Sequence, residues 1–581
     1  MKSPVDEITR VYDAVLGERR FEPAPSRQGT ENTNEGTDRK SRSLSDRLIE
    51  LADREVLEFF HDEHLEPWAC MRVNGHRQIH AIHSRAFRDW LAGRLWHTER
   101  RSVYHEALKA ALSVLAAKAR FEGQQYYLHT RVAWREGALW IDLTDAAWRA
   151  VRITQDGWDV VDDPPILFRR FPHQKPLEVQ KDDGEVVLPV ALGGEERLLL
   201  TVWLAAAFIP DFPHPVLVLH GPQGAGKSTL ARLLRRIVDP SGAELLTLPR
   251  DVAEFAQVLR NNWLVAFDNL SGLSPWASDV LCRACTGDGF VKRRLYTDDE
   301  DMVFSYQRPI VLNGITVVAT RADLLDRSLL LGLERVPSPK TEREFWKEVH
   351  RGLPALRGRI FSIISRAMAL LDKTRAAVEH LPRMADFAIW GMAITEAMGI
   401  DAHRFLEAYA KNCTQQHDVV LETSPVATAI VRLMEEEEEW EGSPGQLLEC
   451  LNGIAGDLGI NTRGKGWPQQ PSSLGQALRR LQTTLRGVGV GLEVARTKRQ
   501  RIIRLFRKEG NSPSPPSPLS PGAKIQGSLG DGSLSPPVTH PSPQKANGDA
   551  ARDGGDRGDG QFGGFLKDVD LLLEEELEGE G

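Results

Sequence analysis

Residues 216–229 read VLVLHGPQGAGKST, and no other stretch limits the fold of this chain so tightly. Apolar residues run straight into Gly221-Pro222-Gln223-Gly224-Ala225-Gly226-Lys227-Ser228, and TLARLLRRIV follows with its apolar positions at helical spacing. A strand that breaks into glycines and restarts as a helix is a loop shaped for phosphate. Its backbone N–H groups can curl around anionic oxygens, and the helix N-terminus behind them favours negative charge. In this reading Gly221, Gly224 and Gly226 supply the backbone freedom, and Lys227 reaches the β- and γ-phosphates. Ser228, with Thr229 beside it, belongs to the phosphate and Mg²⁺ end of the site. ATP and Mg²⁺ are the expected ligands.

At 581 residues the chain has room for three or four domains. A hydrophobic content of 41% and a charged content of 27% are those of globular protein. A net charge of −8 excludes a uniformly basic coat but not local basic patches. Five cysteines in so long a chain make no disulfide framework. No apolar run approaches a membrane span, and MKSPVDEITR is no signal peptide. The expectation is a cytoplasmic protein with no membrane partner.

The fold class expected is α/β, a P-loop NTPase core with a parallel sheet and a helical lid. A flexible leader spans 1–45, where SRQGTENTNEGTDRKSRS has no apolar periodicity. A small α+β domain follows over 48–170. Within it His76, His80 and His83 lie close in sequence but lack a carboxylate or cysteine at convincing metal spacing. The ATPase core is expected over 186–340, with strands at VLVLH, ELLTL, NWLVAFD, RPIVLNG and LLLGLERV. The lid covers 341–422. A winged-helix-like domain covers 425–508, read as two helices and then two alternating stretches. A disordered tail rich in Pro, Ser and Gly covers 509–581 and ends in an acidic, apolar tip.

Inside the core, Asp268 ends the apolar strand NNWLVAFD, where a Walker B carboxylate holds Mg²⁺. Asn269 follows it, and an amide is a poor general base, so water is either positioned by Asn269 or deprotonated by Asp288 or another acid. Asn313 ends the strand RPIVLN and could reach the γ-phosphate or the attacking water. Arg321 and Arg327 sit on a short helix, each open to two uses: a charge offered to a neighbouring subunit's γ-phosphate, or a salt bridge with Asp323 or Asp326. Lys292, Arg293 and Arg294 bunch after a glycine turn and before Tyr296, suiting either a nucleic-acid-gripping hairpin or a solvated edge strand. Cys282 and Cys285 have paired spacing without a second pair, and read as packing.

In order, GPQGAGKS, WLVAFDNLS, GDGFVKRRLY, RPIVLNGI and DRSLLLGL resemble the AAA+ core of superfamily 3 helicases. More closely, residues from about 50 to 505 resemble the primase-associated helicase-like ATPases of phages, plasmids and integrative elements. That resemblance implies a ring, usually hexameric, that hydrolyses ATP between subunits and moves on single-stranded or forked DNA. It assigns Walker B to Asp268, sensor 1 to Asn313, the trans arginine finger to Arg327 and the pore-facing basic hairpin to Lys292, Arg293 and Arg294. Arg383 is a candidate lid arginine. Asn269 departs from the family's usual acid, which leaves room for a slowly hydrolysing switch or loader, and no primase metal motif is legible before residue 185.

Residues 496–508, RTKRQRIIRLFRK, hold seven basic residues, among them Arg499 and Arg501. They fit a wing touching DNA phosphates or a protein-docking module equally in kind. The acidic tip could recruit a replication partner, shield the chain's own DNA sites or simply solubilise its end.

Overall fold

The computed structural model describes residues 43–287, 290–293, 301–304, 306–319, 321–335, 340–377, 382–464, 467–496 and 501–507. The leader to residue 42, Asp288, Arg294, Tyr296, Arg499 and the tail with its acidic tip lie outside the described residues. Lys292, Arg293 and Arg501 are placed by their backbone alone.

The first module starts at α1 (Leu44–Glu55), which Ser43 and Asp46 close with a capping box. Strands β1 (Val56–His61), β2 (Pro67–Val73) and β3 (His76–Ala81) form antiparallel pairs, and helices α2 (Arg85–Glu99) and α3 (His105–Phe121) follow. The two-residue β4 (Gln124–Gln125) closes the sheet in the order β3-β2-β1-β4. Leu48, Leu51, Phe87, Leu91, Leu95 and Leu115 make its own small core.

The second half of the 48–170 stretch behaves differently. A meander of β5 (Val132–Arg135), β6 (Ala138–Asp142), β7 (Ala150–Thr154) and β8 (Gly157–Val161) alternates its side chains between two cores. Val132, Trp134, Leu139, Ile141, Val151, Ile153 and Trp158 enter the main core of the chain. Ala133, Trp140 and Ala150 pack instead on Ile166 and Phe168. The meander therefore belongs energetically with the segment that carries the glycine loop. Trp158 stacks edge-on against Phe361 and donates its indole N–H to Ser362 at 3.1 Å.

Helix α4 (Gly194–Ala206) leads into β9 (Val216–His220), α5 (Lys227–Val238), α6 (Val252–Asn261), β10 (Val265–Leu270) and α7 (Pro275–Thr286). The two-stranded β11 (Phe290–Arg293) and β12 (Asp301–Phe304) come next, then β13 (Ile310–Gly314), α8 (Ala322–Leu325) and β14 (Ser328–Gly332). The central sheet is parallel in the order β10-β13-β9-β14. Its strands are nearly continuous apolar runs because helices cover both faces. ELLTL contributes only one bridge, Leu246 to Phe267, beyond β10. The opposite edge is covered from a helix: Asn412 exchanges hydrogen bonds with the Leu330 N–H and carbonyl (3.0 and 2.6 Å), and Gln416 donates to the Ser328 carbonyl (2.7 Å). Edge groups that would template a foreign strand are thereby satisfied.

Those amides sit on α11 (Ala402–Thr423), which follows α9 (Glu342–Ala377) and α10 (Ala385–Ala397). The last unit is α12 (Pro425–Glu436), β15 (Glu439–Gly442), α13 (Pro444–Asp457), α14 (Pro471–Gly487), β16 (Val490–Arg496) and β17 (Arg501–Arg507), with sheet order β15-β17-β16. Two features correct the reading of this unit. Glu439 and Trp440, read as the end of a helix, form an edge strand on β17. The stretch read as alternating contains a third helix, α14, with Pro471 at its first turn. Among the described residues no helix is long and apolar enough to cross a membrane.

Candidate functional site: a phosphate-type loop over a Ser-Asp-Asn cluster

The loop between β9 and α5 turns on three glycines with positive φ: Gly221 at 139°, Gly224 at 79° and Gly226 at 77°. At Gly221 a Cβ would come within 2.2 Å of the Leu333 carbonyl oxygen, so neither the backbone angle nor the space admits a side chain. Gly226 is the N-cap of α5, which leaves that helix's first N–H groups free of any side-chain cap. Lys227 folds back along the loop and donates to the carbonyls of Gly221 and Pro222, both at 2.9 Å. Ser228 and Thr229 lie half-buried on the next positions of the first turn.

Beneath the loop, the first turn of α5 meets the ends of two strands. The Ser228 hydroxyl donates to an Asp268 carboxylate oxygen at 2.9 Å. The Asn313 amide donates to the Ser228 hydroxyl at 3.0 Å and also to that Asp268 oxygen. The sheet order explains the meeting, because β13 lies between β9 and β10 and carries Asn313 into the gap. Asn313 is 2% exposed. Its Oδ1 has no partner among the described residues. A buried acceptor left open is costly, and a donor or cation brought by a ligand would satisfy it.

Asn269 has a structural reason to be an asparagine. Between Phe267 and Leu270 the β10–β13 register slips by one residue, and Asn269 takes φ 55° in that bulge. Asparagine tolerates the left-handed region better than any other non-glycine residue except aspartate. The bulge directs Asp268 toward Ser228 and leaves Asn269 exposed.

A cleft of about 260 Å³ opens beside the loop, lined by Glu195, Glu196, Leu199, His220, Lys411 and Gln415 among others. Lys411 pairs with Glu195 at 2.7 Å across it. Burial first, and then the Lys227 ammonium, hold the His220 imidazole below its ordinary range.

Arg327 is elsewhere. It directly precedes β14, at the N-terminal ends of strands whose C-terminal ends carry the loop, about 16 Å away along a five-residue strand. Its guanidinium donates to the Asp323 carbonyl at 2.7 Å. Asp326 is taken by Arg383 at 2.6 Å, so Arg383 stands beside Arg327 and not at the loop. Arg321 pairs with Asp279 at 3.0 Å. Cys285 is buried and donates to the His214 carbonyl, while His80 bonds Gln78. Among the described residues no cluster of histidine, cysteine and carboxylate has the geometry of a metal site.

One structural element was invisible in sequence. Asp239, just beyond α5, is fully buried and accepts from Arg131 Nε (2.9 Å), Arg235 Nη1 (2.7 Å) and the Trp263 and Leu264 N–H groups (2.8 and 3.2 Å). Burial pushes its carboxyl up, but Arg235 and Arg131 together outweigh this and hold it at about 2. The network joins the far end of α5 to the entry of β10 and to the meander. It thereby fixes the two elements that bring Ser228 to Asp268.

Residues 189–418 match the actinomycete integrative conjugative element replication protein, and residues 426–517 match the C-terminal domain of that replication protein. No curated protein matches the chain. Among solved structures it is similar to SCCmec type IV Cch, an active helicase, at 11% identity and a TM-score of 0.42 over 78% of this chain and 92% of that one. It is also similar to the apo C-terminal region of NrS-1, at 14% identity and a TM-score of 0.33 over 80% of this chain and 98% of that one. By the two family matches, the chain belongs to the replication-protein family of integrative conjugative elements.

Proposed function

We propose that this replication protein is an ATP-driven DNA motor whose subunits form a ring, with ATP held between them. The observation that carries the reading is the contact of Ser228, Asp268 and Asn313 directly beneath a glycine loop whose helix N-terminus is uncapped. The loop's N–H groups and Lys227 bind the phosphates, and the adjoining cleft takes the sugar and base side of the nucleotide. A hydroxyl and a carboxylate oxygen 2.9 Å apart, with the open Asn313 oxygen beside them, suit a hard divalent cation such as Mg²⁺. When bound, that ion neutralises charge on the phosphates. Asn313 orients the attacking water.

Arg327 cannot serve the loop of its own chain from the opposite end of the sheet. In this reading it serves a neighbour's, which makes the active site a property of the ring. The hairpin of β11 and β12, bearing Lys292 and Arg293 and followed in sequence by Arg294, contacts single-stranded DNA. Exposed Asn269 in place of an acid supports a second reading, a slowly hydrolysing switch that loads other replication factors. Unwinding of a forked duplex separates the two. A motor displaces the strand with ATP and fails with Arg327→Ala, and mixing Arg327→Ala with Lys227→Ala subunits restores partial activity, because a mixed interface in one of its two orientations pairs an intact loop with an intact arginine. A switch binds the fork and displaces nothing.

A further inference from the structure

We infer that the C-terminal unit is a separate reader of duplex DNA, with α14 lying in the major groove and the β16–β17 hairpin against the flanking backbone. Leu474, Leu478, Leu481 and Leu485 bury one side of α14. Ser472, Gln476, Arg479 and Arg486 recur at spacings of four, three and seven, so they share the opposite side, and all four are exposed. Among the described residues Gln476, Arg479 and Arg486 make no hydrogen bond or ion pair. Arginine and glutamine are the side chains that grip guanine and adenine edges in pairs of hydrogen bonds, and the groove is wide enough to admit a helix.

Charge selects the occupant. In a chain of net charge −8, the seventeen residues of α14 contain no carboxylate. Most carboxylates of the unit gather at Glu435 to Glu439 and Glu441, from the end of α12 through β15, while Glu449 and Asp457 lie on α13. With sheet order β15-β17-β16, that acidic edge is the far one, and α14 packs beside β16. Glu493 on β16 is engaged by Arg504. Arg496 and Arg501 form the last register pair of the hairpin. A helix presenting base-reading side chains, with a basic hairpin directly after it, matches a duplex, in which a groove lies between phosphate ridges. A single strand has no such groove. This site is independent of the nucleotide loop and stands whether or not the chain is a motor.

The test selects a pool of duplexes with a randomised 20-bp core on the full chain and sequences the bound fraction. Fluorescence anisotropy then compares the selected duplex, a scrambled duplex and the single strand. The expected result is an enriched motif bound at least about tenfold tighter than the scrambled duplex. Gln476→Ala/Arg479→Ala should flatten the motif, with helix content and melting temperature showing that the variant is folded. Arg479→Lys should lose most of the discrimination yet keep the salt dependence, since it keeps charge but loses the paired geometry. Arg432→Ala, on α12 and paired with Glu435 and Glu436, should leave selection unchanged. The inference is overturned by absence of a motif, by tighter binding of the single strand, or by a motif that survives both α14 variants. A change in self-association without a change in selection would also overturn it and assign the face to a second copy of the chain.

Discussion

Replacing Asp239 with alanine tests whether the buried arginine network holds the glycine loop in place. The side chains of Arg131 and Arg235 are 0% and 1% exposed, and the substitution would leave both guanidinium groups without their carboxylate. Removing one partner of a buried pair costs about 3–5 kcal/mol. The Trp263 and Leu264 N–H groups lose their acceptor as well, at about 1–3 kcal/mol for a buried donor left open. Asp239→Ala should therefore cost at least about 5 kcal/mol, a large part of the 5–15 kcal/mol that holds an ordinary domain folded. Asp239→Asn keeps an acceptor oxygen but not the charge, and should cost about half as much. Urea unfolding followed by tryptophan fluorescence reads both values.

Acid provides a second arm of the same test. The carboxyl is held at about 2, below its ordinary 3.8. Its contribution is thus fully present above pH 4 and is lost as the pH falls from about 4 to 2, amounting to about 2 kcal/mol. Asp239→Asn should lack that acid-dependent loss. An Asp239→Ala protein within about 1 kcal/mol of the wild type would refute the reasoning, because two unpaired cations cannot be buried so cheaply.

Gly221→Ala should abolish nucleotide binding in a folded chain, since its Cβ would overlap the Leu333 carbonyl; calorimetric titration with an ATP analogue checks this. Asn313→Ala should leave analogue affinity within a few-fold and slow hydrolysis about 100-fold or more, the usual cost of losing one positioned polar group. Asn269→Gly should be neutral to stability, whereas Asn269→Val should cost about 1–2 kcal/mol in the left-handed bulge, as read by thermal melting. Arg327→Ala should bind nucleotide normally and fail to hydrolyse it, which separates it from Lys227→Ala.

The parts of the site that sequence exposed are those with local chemical demands. Glycines before Lys227 and polar residues closing the apolar runs at Asp268 and Asn313 are visible one segment at a time, and the structure sets Ser228, Asp268 and Asn313 in contact. What escaped depends on distant partners. Arg131 and Asp239 are 108 positions apart, and neither sits in a pattern that announces the other. Glu439 and Trp440 continue a run of glutamates that favours helix, and only pairing with Leu505 and Phe506 makes them a strand. The meander reads as part of a small separate domain because its alternation is clear, while the second core that receives half of its side chains is not. Helix α14 did carry a signal, since Pro471 is well placed for a first helical turn. Asn269 adds a reason that the sequence alone did not show, the left-handed backbone angle it takes in the β10 bulge.

The most direct measurement is steady-state ATP hydrolysis by the full chain with and without single-stranded DNA, beside Lys227→Ala and Lys292→Ala/Arg293→Ala. The motor account predicts strong stimulation by DNA, hydrolysis abolished in the first variant and stimulation lost in the second. Tight ATP binding with turnover indifferent to DNA would contradict it and favour the switch.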